Sequence, residues 1–368
     1  MGMKESFGRV YSDKRVLITG HTGFKGSWLA LWLSQMGAKV TGYALAPSTS
    51  PSHINMLHID CLSVTGDIRD DSKLHNVIRK EQPEIIFHLA AQSLVRRSYQ
   101  EPVDTLDTNV MGTVKLLEAC RRSPSVKAVV VVTSDKCYEN REWLWGYREN
   151  DALGGYDPYS ASKACVELVT SSYRHSFFPI DKYGHHHSIL LASARAGNAI
   201  GGGDWAEDRL IPDIARAVSK NEAVSIRNPD SIRSWQHVLE SLSGYLMLGR
   251  KLLEGDTRFA EAWNFGPGKE GSIKVETVVQ KLKQHWSRVD YKLSPSCQDP
   301  HEAKLLQLDS SKACLKLGWN PVWDINKALE MTGVWYHNFY EYQKVISEQQ
   351  LIQYVQTAKH KNYNWAEL

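Results

Sequence analysis

The 368-residue sequence predicts an α/β fold, a doubly wound parallel sheet followed by a smaller C-terminal domain. Three observations carry that prediction. Short apolar runs alternate with helix-length amphipathic segments through the first half of the chain. A glycine triplet falls between the first such strand and the first helix. A run of four valines, Val129 to Val132, ends in the polar cluster Thr133-Ser134-Asp135-Lys136-Cys137-Tyr138. That is how a buried parallel strand delivers side chains to the carboxyl edge of a sheet, where open α/β folds keep their ligands.

Taken in order, Arg15 to Thr19 is a short apolar strand, followed at once by Gly20-His21-Thr22-Gly23-Phe24-Lys25-Gly26. Glycines three apart between a strand and a helix let the backbone approach a pyrophosphate lying on the helix N-terminus, so dinucleotide binding is expected there. Gly37 stops the helix, and Lys39 to Leu45 is the second strand. The pattern repeats: a strand from Leu62 to Thr65 ends in Asp67-Ile68-Arg69, a helix covers Ser72 to Lys80, and Glu84 to Leu89 is the next strand. The small residues of His88-Leu89-Ala90-Ala91-Gln92 allow a flat cofactor to lie close to the backbone, although tight strand packing would use them equally well. Asp104 to Cys120 reads as one long helix carrying Asn109, and the valine strand follows.

Tyr159-Ser160-Ala161-Ser162-Lys163 opens a helix running to about Ser176. Tyrosine and lysine four apart share a helix face, so a hydroxyl (Ser134), a phenol (Tyr159) and an ammonium (Lys163) can converge. Pro179 to His187 is a loop whose consecutive His185, His186 and His187 diverge, so no metal site is expected. Ser188 to Ala194 is a further strand, after which the alternation weakens. The domains are accordingly placed at 1–194 and 195–368, with a strand returning to the first near 262–268, where Ala262 to Gly266 is apolar and glycine-terminated. In the second half Arg209 opens a helix, Arg227 to Ser234 is a polar turn, and Gln236 to Leu253 is helical. A helix from Val275 to Trp286, a strand near Tyr291 and a helix from Asp324 to about Lys344 complete the chain. Trp335, Phe339 and Tyr340 in that last helix are expected to be core or oligomer contacts.

Composition narrows the partners. A net charge of +3 is no polybasic footprint, so neither nucleic acid nor an anionic membrane is expected. Six cysteines without paired spacing fit neither a disulfide framework nor a metal ribbon, which points to a reducing cytoplasm. No run approaches the roughly 18 apolar residues needed to span a bilayer.

A phenol deprotonated near neutral pH can take the proton of a sugar hydroxyl while a bound nicotinamide accepts the hydride of the same carbon. The phenol's pKa, normally about 10, must then fall, and a nearby ammonium favours the anion.

The loop from Thr19 to Gly26, Asp67 and the Tyr159/Lys163 pair resemble the extended short-chain dehydrogenase/reductase superfamily, with its Rossmann-type sheet. Within it, Thr133 to Tyr138, Arg195 to Trp205, Asp208-Arg209-Leu210-Ile211-Pro212 and Arg233 to Val238 resemble the CDP-glucose 4,6-dehydratases. The resemblance covers nearly the whole chain. It implies NAD as cofactor, held by Gly20, Gly23, Phe24, Lys25, Gly26, Asp67, Ile68, Leu89, Ala90, Ala91, Asn109 and Thr133 together with Tyr159 and Lys163. It implies CDP-D-glucose as substrate, bound in the C-terminal, substrate-binding domain. The reaction implied is a redox-neutral dehydration to CDP-4-keto-6-deoxy-D-glucose, an early step towards dideoxysugars of bacterial surface polysaccharide. Tyr159 would take the 4-OH proton, Ser134 would hydrogen-bond the reacting oxygen, Asp135 would protonate the departing hydroxyl, and Lys163 would orient the cofactor ribose. Arg209 and Arg233 suit the substrate diphosphate, since guanidinium pairs with phosphate oxygens two at a time. Gln92, Asn198 and Asn264 are further substrate contacts by resemblance, and a homodimer or higher homo-oligomer is implied.

Two departures stand out. Related dehydratases carry Asp-Glu where this chain has Asp135-Lys136, so Lys136 is assigned to the C5 proton transfer, as a neutral base or as a charged stabiliser of the enolate. No Asp or Glu occurs between Lys14 and Ile59, so the acid that usually grips the ribose diol is missing, and NAD+ is expected to bind loosely. Nucleotide-sugar 4-epimerases share the fold and the Tyr/Lys pair, and a non-catalytic dinucleotide sensor would share the fold. The acid–base groups at Asp135 and Lys136 argue for dehydration.

Overall fold

The computed structural model describes residues 3–294 and 305–367, so Cys297 lies outside the described residues. The chain runs β1 (Arg15–Thr19), α1 (Phe24–Gln35), β2 (Lys39–Ala44), α2 (His53–Met56), β3 (Cys61–Thr65), α3 (Asp71–Glu81), β4 (Ile85–His88), α4 (Val95–Gln100), α5 (Pro102–Leu106), α6 (Gly112–Arg121), β5 (Ala128–Val132), α7 (Pro158–Ser176) and β6 (Leu190–Ala196). It continues through β7 (Asn198–Ile200), α8 (Leu210–Ser219), β8 (Val224–Ile226), β9 (Ile232–His237), α9 (Val238–Leu253), β10 (Ala262–Phe265), β11 (Ser272–Lys274), α10 (Val275–His285), β12 (Tyr291–Leu293), α11 (Ile325–Tyr342) and α12 (Ser347–His360).

Seven parallel strands form the main sheet in the order β10-β6-β5-β4-β1-β2-β3. The alternation of side chains across each strand explains why both faces are covered. Val16, Ile18, Phe87 and Val130 enter a core beneath α1 and α9, while Leu17, Ile86, Val129 and Val131 enter a second core with Leu74 of α3 and Leu116 of α6. The strand order reverses between β1 and β4, and a crevice opens at the carboxyl ends of those two strands.

The structure corrects the sequence reading in several places. The helix expected from Asp104 to Cys120 is interrupted by a π turn over Asp107–Met111, which carries Asn109. β6 runs on to Ala196, so Arg195 lies inside a sheet strand rather than at its end. The polar stretch Arg227 to Ser234 contains the start of β9, which pairs with β7 and β11, and α9 begins at Val238. Strand formation there depends on partners far away in sequence, which no local pattern records. β10 lies beside β6, with Ala262 opposite Ser193. α12 was not anticipated.

The C-terminal helices pack with aromatic rings on α1, on α9 and on the small sheet of β7 and β9. Trp32 meets Tyr354 and Trp365 edge-on, and Trp335 packs against Trp205 and stacks on Phe339. Glu240 of α9 is fully buried beneath them. It accepts hydrogen bonds from the Val322 and Trp323 amides and from the Tyr354 hydroxyl, each at 2.8 Å, and burial pushes its carboxyl up to about 7.

Candidate active site

A cavity of about 1540 Å³ follows the carboxyl edge of the sheet, from Asp67 at one end to Trp205 and Tyr340 at the other. Tyr340, expected to be a core or oligomer contact, is thus a wall residue of that cavity.

The glycine loop forms its near end. Gly20 adopts φ +79°, and a Cβ there would lie 2.7 Å from the Ala90 nitrogen; one on Gly26 would strike the Gly20 carbonyl. These two glycines let strand, loop and helix close up. Gly23 caps α1 without a side-chain hydrogen bond and borders the cavity, so the first-turn amides and the helix dipole face a space suited to an anion. That geometry fits a dinucleotide pyrophosphate. Beside it, Phe24, Lys25, Ile68, Leu89, Ala90 and Ala91 line the wall. Asp67 lines it too, with both carboxylate oxygens accepting from Arg69, which also reaches Asp104 at 2.8 Å. On the segment after β2, where an acid is missing, Ser48, Thr49 and Ser50 border the cavity. His53 anchors that segment, bonding Ser27 Oγ and Ser347 Oγ through its two ring nitrogens, each at 2.7 Å.

Asn109 is placed differently from the expectation. It is 1% exposed, accepts from the Gln92 amide, and donates to the Gln92 carbonyl and to Ser162 Oγ. It therefore braces the wall after β4 from behind rather than lining it.

Ser134, Asp135, Lys136, Tyr159 and Lys163 border the middle of the cavity. β5 ends at Val132 and a single 3-10 turn covers Asp135–Cys137, so Thr133, Ser134, Asp135 and Lys136 all border the cavity. Ser134 Oγ donates to Asp135 Oδ1 at 2.9 Å and accepts from the Lys136 amide at 3.2 Å. Asp157 caps α7, whose first turns bring Tyr159 beside Ser134 and place Lys163 Nζ 3.4 Å from the Val132 carbonyl. Burial raises the Asp135 carboxyl above the usual carboxylate range; Lys136, Ser134, Lys25 and Arg233 pull against it. Burial likewise pushes the Tyr159 phenol up to about 12, with the Ser134 hydroxyl pulling it back. The sequence reading expected a lowered phenol, so the lowering must come from positive charge brought in by a ligand. Lys163 and Lys25 are each brought down to about 8 by burial, Lys163 held up in part by Glu167 and Lys25 by Asp135.

At the far end Arg209 bonds Asp204 at 3.1 Å and Ser93 Oγ at 2.9 Å. Arg233 and Asn198 line the same region. Two further arginines that the sequence reading missed, Arg96 and Arg227, approach Asp208 at 3.7 and 3.8 Å. Their signal was present only as ordinary surface charge in α4 and in the supposed polar turn. Gln92 borders the cavity but spends its amide on the Leu94 backbone and Thr105 Oγ1. Asn264 is fully buried, donating to the Tyr147 and Asp309 carbonyls and accepting from the Tyr138 hydroxyl, so it holds the fold and not a substrate.

Comparison with known proteins gives the family and agrees with the fold. The chain is 54% identical over 328 residues to CDP-glucose 4,6-dehydratase of Salmonella typhimurium, covering 89% of this chain and 91% of the relative. It is 26% identical to dTDP-glucose 4,6-dehydratase of Xanthomonas campestris, over 87% of this chain and 92% of that one. The crystal structure of dTDP-glucose 4,6-dehydratase from Bacillus anthracis in complex with NAD superposes with a TM-score of 0.71 at 22% identity, over 88% of this chain and 96% of that one. UDP-glucose 4-epimerase of Thermus thermophilus in complex with NAD gives 0.75 at 22%, over 87% and 98%, a likeness of fold. With the family model for GDP-mannose 4,6 dehydratase matching residues 17–332, the chain belongs to that dehydratase family.

Proposed function

We propose that the chain is an NAD-dependent hydro-lyase converting CDP-D-glucose to CDP-4-keto-6-deoxy-D-glucose and water. The observation that carries the reading is the buried Asp135 carboxyl, raised by desolvation, beside Ser134 and Tyr159 in a family of 4,6-dehydratases. A carboxyl held towards its neutral form can donate a proton to a leaving hydroxyl; a 4-epimerase needs no such group. The 54% identity to a CDP-glucose enzyme supports the nucleotide.

NAD+ held along the glycine loop would supply a two-electron oxidation at C4 that is reversed at C6 after loss of water, when the hydride returns to C6 and a proton to C5, so the overall reaction is redox-neutral. Tyr159 accepts the proton of the sugar 4-OH, and Ser134 donates a hydrogen bond to that oxygen as it becomes a carbonyl. Lys163 holds the cofactor ribose. The 4-ketone acidifies the C5 proton, Lys136 acts on its removal, and Asp135 gives its proton to the departing 6-OH. Arg209 and Arg233 hold the diphosphate. We read residues 1–194, with the strand β10, as the cofactor half and the remainder as mainly the substrate half. A homodimer is supported by the exposed Val103, Leu106, Met111 and Leu168 on α5, the π turn and α7. The product suits the dideoxysugars of a surface polysaccharide.

The test is a panel of CDP-, UDP-, GDP- and dTDP-glucose with NAD+, scored for a 4-keto-6-deoxy sugar and loss of water. Turnover of CDP-glucose with little of the others is expected. Interconversion at C4 without loss of water would make it an epimerase.

A further inference from the structure

Behind the reacting segment lies a buried ion pair that the scheme above does not use. Glu167 follows Lys163 by one turn of α7, and Arg195 lies near the end of β6; their side chains are 3% and 4% exposed and meet at 2.8 Å. Glu167 also accepts from Thr133 Oγ1 at 2.5 Å and from Ser193 Oγ at 2.7 Å. Arg195 donates to the Tyr138 hydroxyl at 2.7 Å and to the Glu149 carbonyl at 3.0 Å, and its guanidinium lies 5.0 Å from the centre of the Tyr138 ring. The Tyr138 hydroxyl in turn donates a hydrogen bond to Asn264 Oδ1.

Thr133 and Tyr138 are the two ends of the segment that carries Ser134, Asp135 and Lys136. Both ends are therefore fastened to one ion pair. The backbone ties the same two ends, through the Thr133 amide to the Ala194 carbonyl and a bridge between Tyr138 and Leu153, while Asp135 and Lys136 sit between them on a single 3-10 turn, so the ion pair completes the hold on each end through its side chain. Tyr159, in contrast, rides on a 19-residue helix. A buried ion pair is weak evidence for stability, because desolvation cancels much of its attraction. Its geometric role is stronger: two charges that both need partners in a dry interior admit few alternative arrangements.

We propose that Glu167 and Arg195 are positioning residues that hold Asp135 and Lys136 in register with Tyr159, and that they serve the elimination more than substrate binding or the first oxidation. The inference rests on the dehydratase reading. Turnover by the unsubstituted chain tests that reading alone, whereas the variants below test the clamp.

Removing one charge would strand the other, so the test pairs Glu167→Gln with Arg195→Gln and adds Arg195→Lys, which keeps the charge but cannot hold Tyr138 and Glu167 together as a fork does. Four quantities are measured: thermal unfolding, CDP affinity by calorimetry, amide hydrogen exchange in residues 133–138 of the cofactor-free protein, and reduced cofactor against dehydrated product. Exchange in 133–138 is expected to rise while CDP affinity stays unchanged. Reduced cofactor should accumulate, and product formation should fall by about 10²-fold, the scale of an ångström-sized misplacement. Folded variants with unchanged exchange and normal product would overturn the proposal, as would equal loss of oxidation and elimination. If the double variant does not fold, the same outcomes are read from Arg195→Lys.

Discussion

At the level of single residues, the site divides into groups that titrate and groups that hold. Replacing Tyr159 with Phe removes the proton acceptor while keeping the ring, and oxidation at C4 should fall by about 10²-fold or more; single-turnover formation of reduced cofactor measures it. Lys136→Met should leave that first step intact. Solvent deuterium should then enter C5 more slowly and 4-keto-6-deoxy product should largely disappear, and normal exchange with normal product would place Lys136 outside the chemistry. Asp135 must be protonated to act as an acid, so the rate of elimination should decline as pH rises through its raised pKa. The residues that border the cavity by virtue of strand-end or helix position, Ser134 to Lys136, Tyr159 and Lys163, were legible in the sequence because a period of two or of 3.6 places them. Asn109 and Asn264 were misread because a buried amide and a ligand-facing amide look the same without tertiary context.

Among the elements, the glycine loop was legible because only glycine tolerates the approach of Gly20 to Ala90 and of Gly26 to Gly20. The far end of the cavity was not. Arg209 caps α8 and Arg233 lies on β9, and both border one cavity because β9 pairs with β7 and β11 across long sequence separations. Arg233→Met should weaken substrate binding by about 1.5–3 kcal/mol, the worth of a charged hydrogen bond. The measurement is KM against kcat for CDP-glucose: a raised KM with kcat largely kept is expected, and an unchanged KM would put Arg233 outside the diphosphate site. α12 escaped notice because its buried face meets aromatic residues drawn from opposite ends of the chain, such as Trp32 and Trp365.

For the whole molecule, four buried histidines contribute to the acid limb of stability. Burial brings His21 down to about 4 and His53, His88 and His237 to about 3, from an ordinary 6.5. Between those values and 6.5 the unfolded chain binds more protons at each site, so stability is full above about pH 6.5 and is lost as pH falls. Glu240, raised to about 7, acts oppositely, its contribution being full below about 4.5 and lost as pH rises through 7. Asp135, Glu149 and Asp213, also raised by burial, act in the same sense as Glu240, so the histidine contribution is isolated by comparing the slope of melting temperature against pH, from 6.5 to 5, between cofactor-free protein and a histidine variant. His53→Gln should flatten that slope, since a neutral amide can still bridge Ser27 and Ser347. Each histidine was visible in the sequence, but burial, which decides its titration, belongs to the assembled fold.

Glu240 also imposes an order on the protein's manufacture. Its partners Val322, Trp323 and Tyr354 lie 82, 83 and 114 residues downstream. On the ribosome, therefore, α9 is made long before its hydrogen-bond donors, and the carboxylate is ionised at neutral pH while water still reaches it. The sheet can pair early and α9 can cover it, yet the side of α9 that carries Glu240 stays wet until α12 emerges. Translation stalled before residue 354 leaves a nascent chain with an apolar surface and an unsheltered acid, a natural client for chaperones.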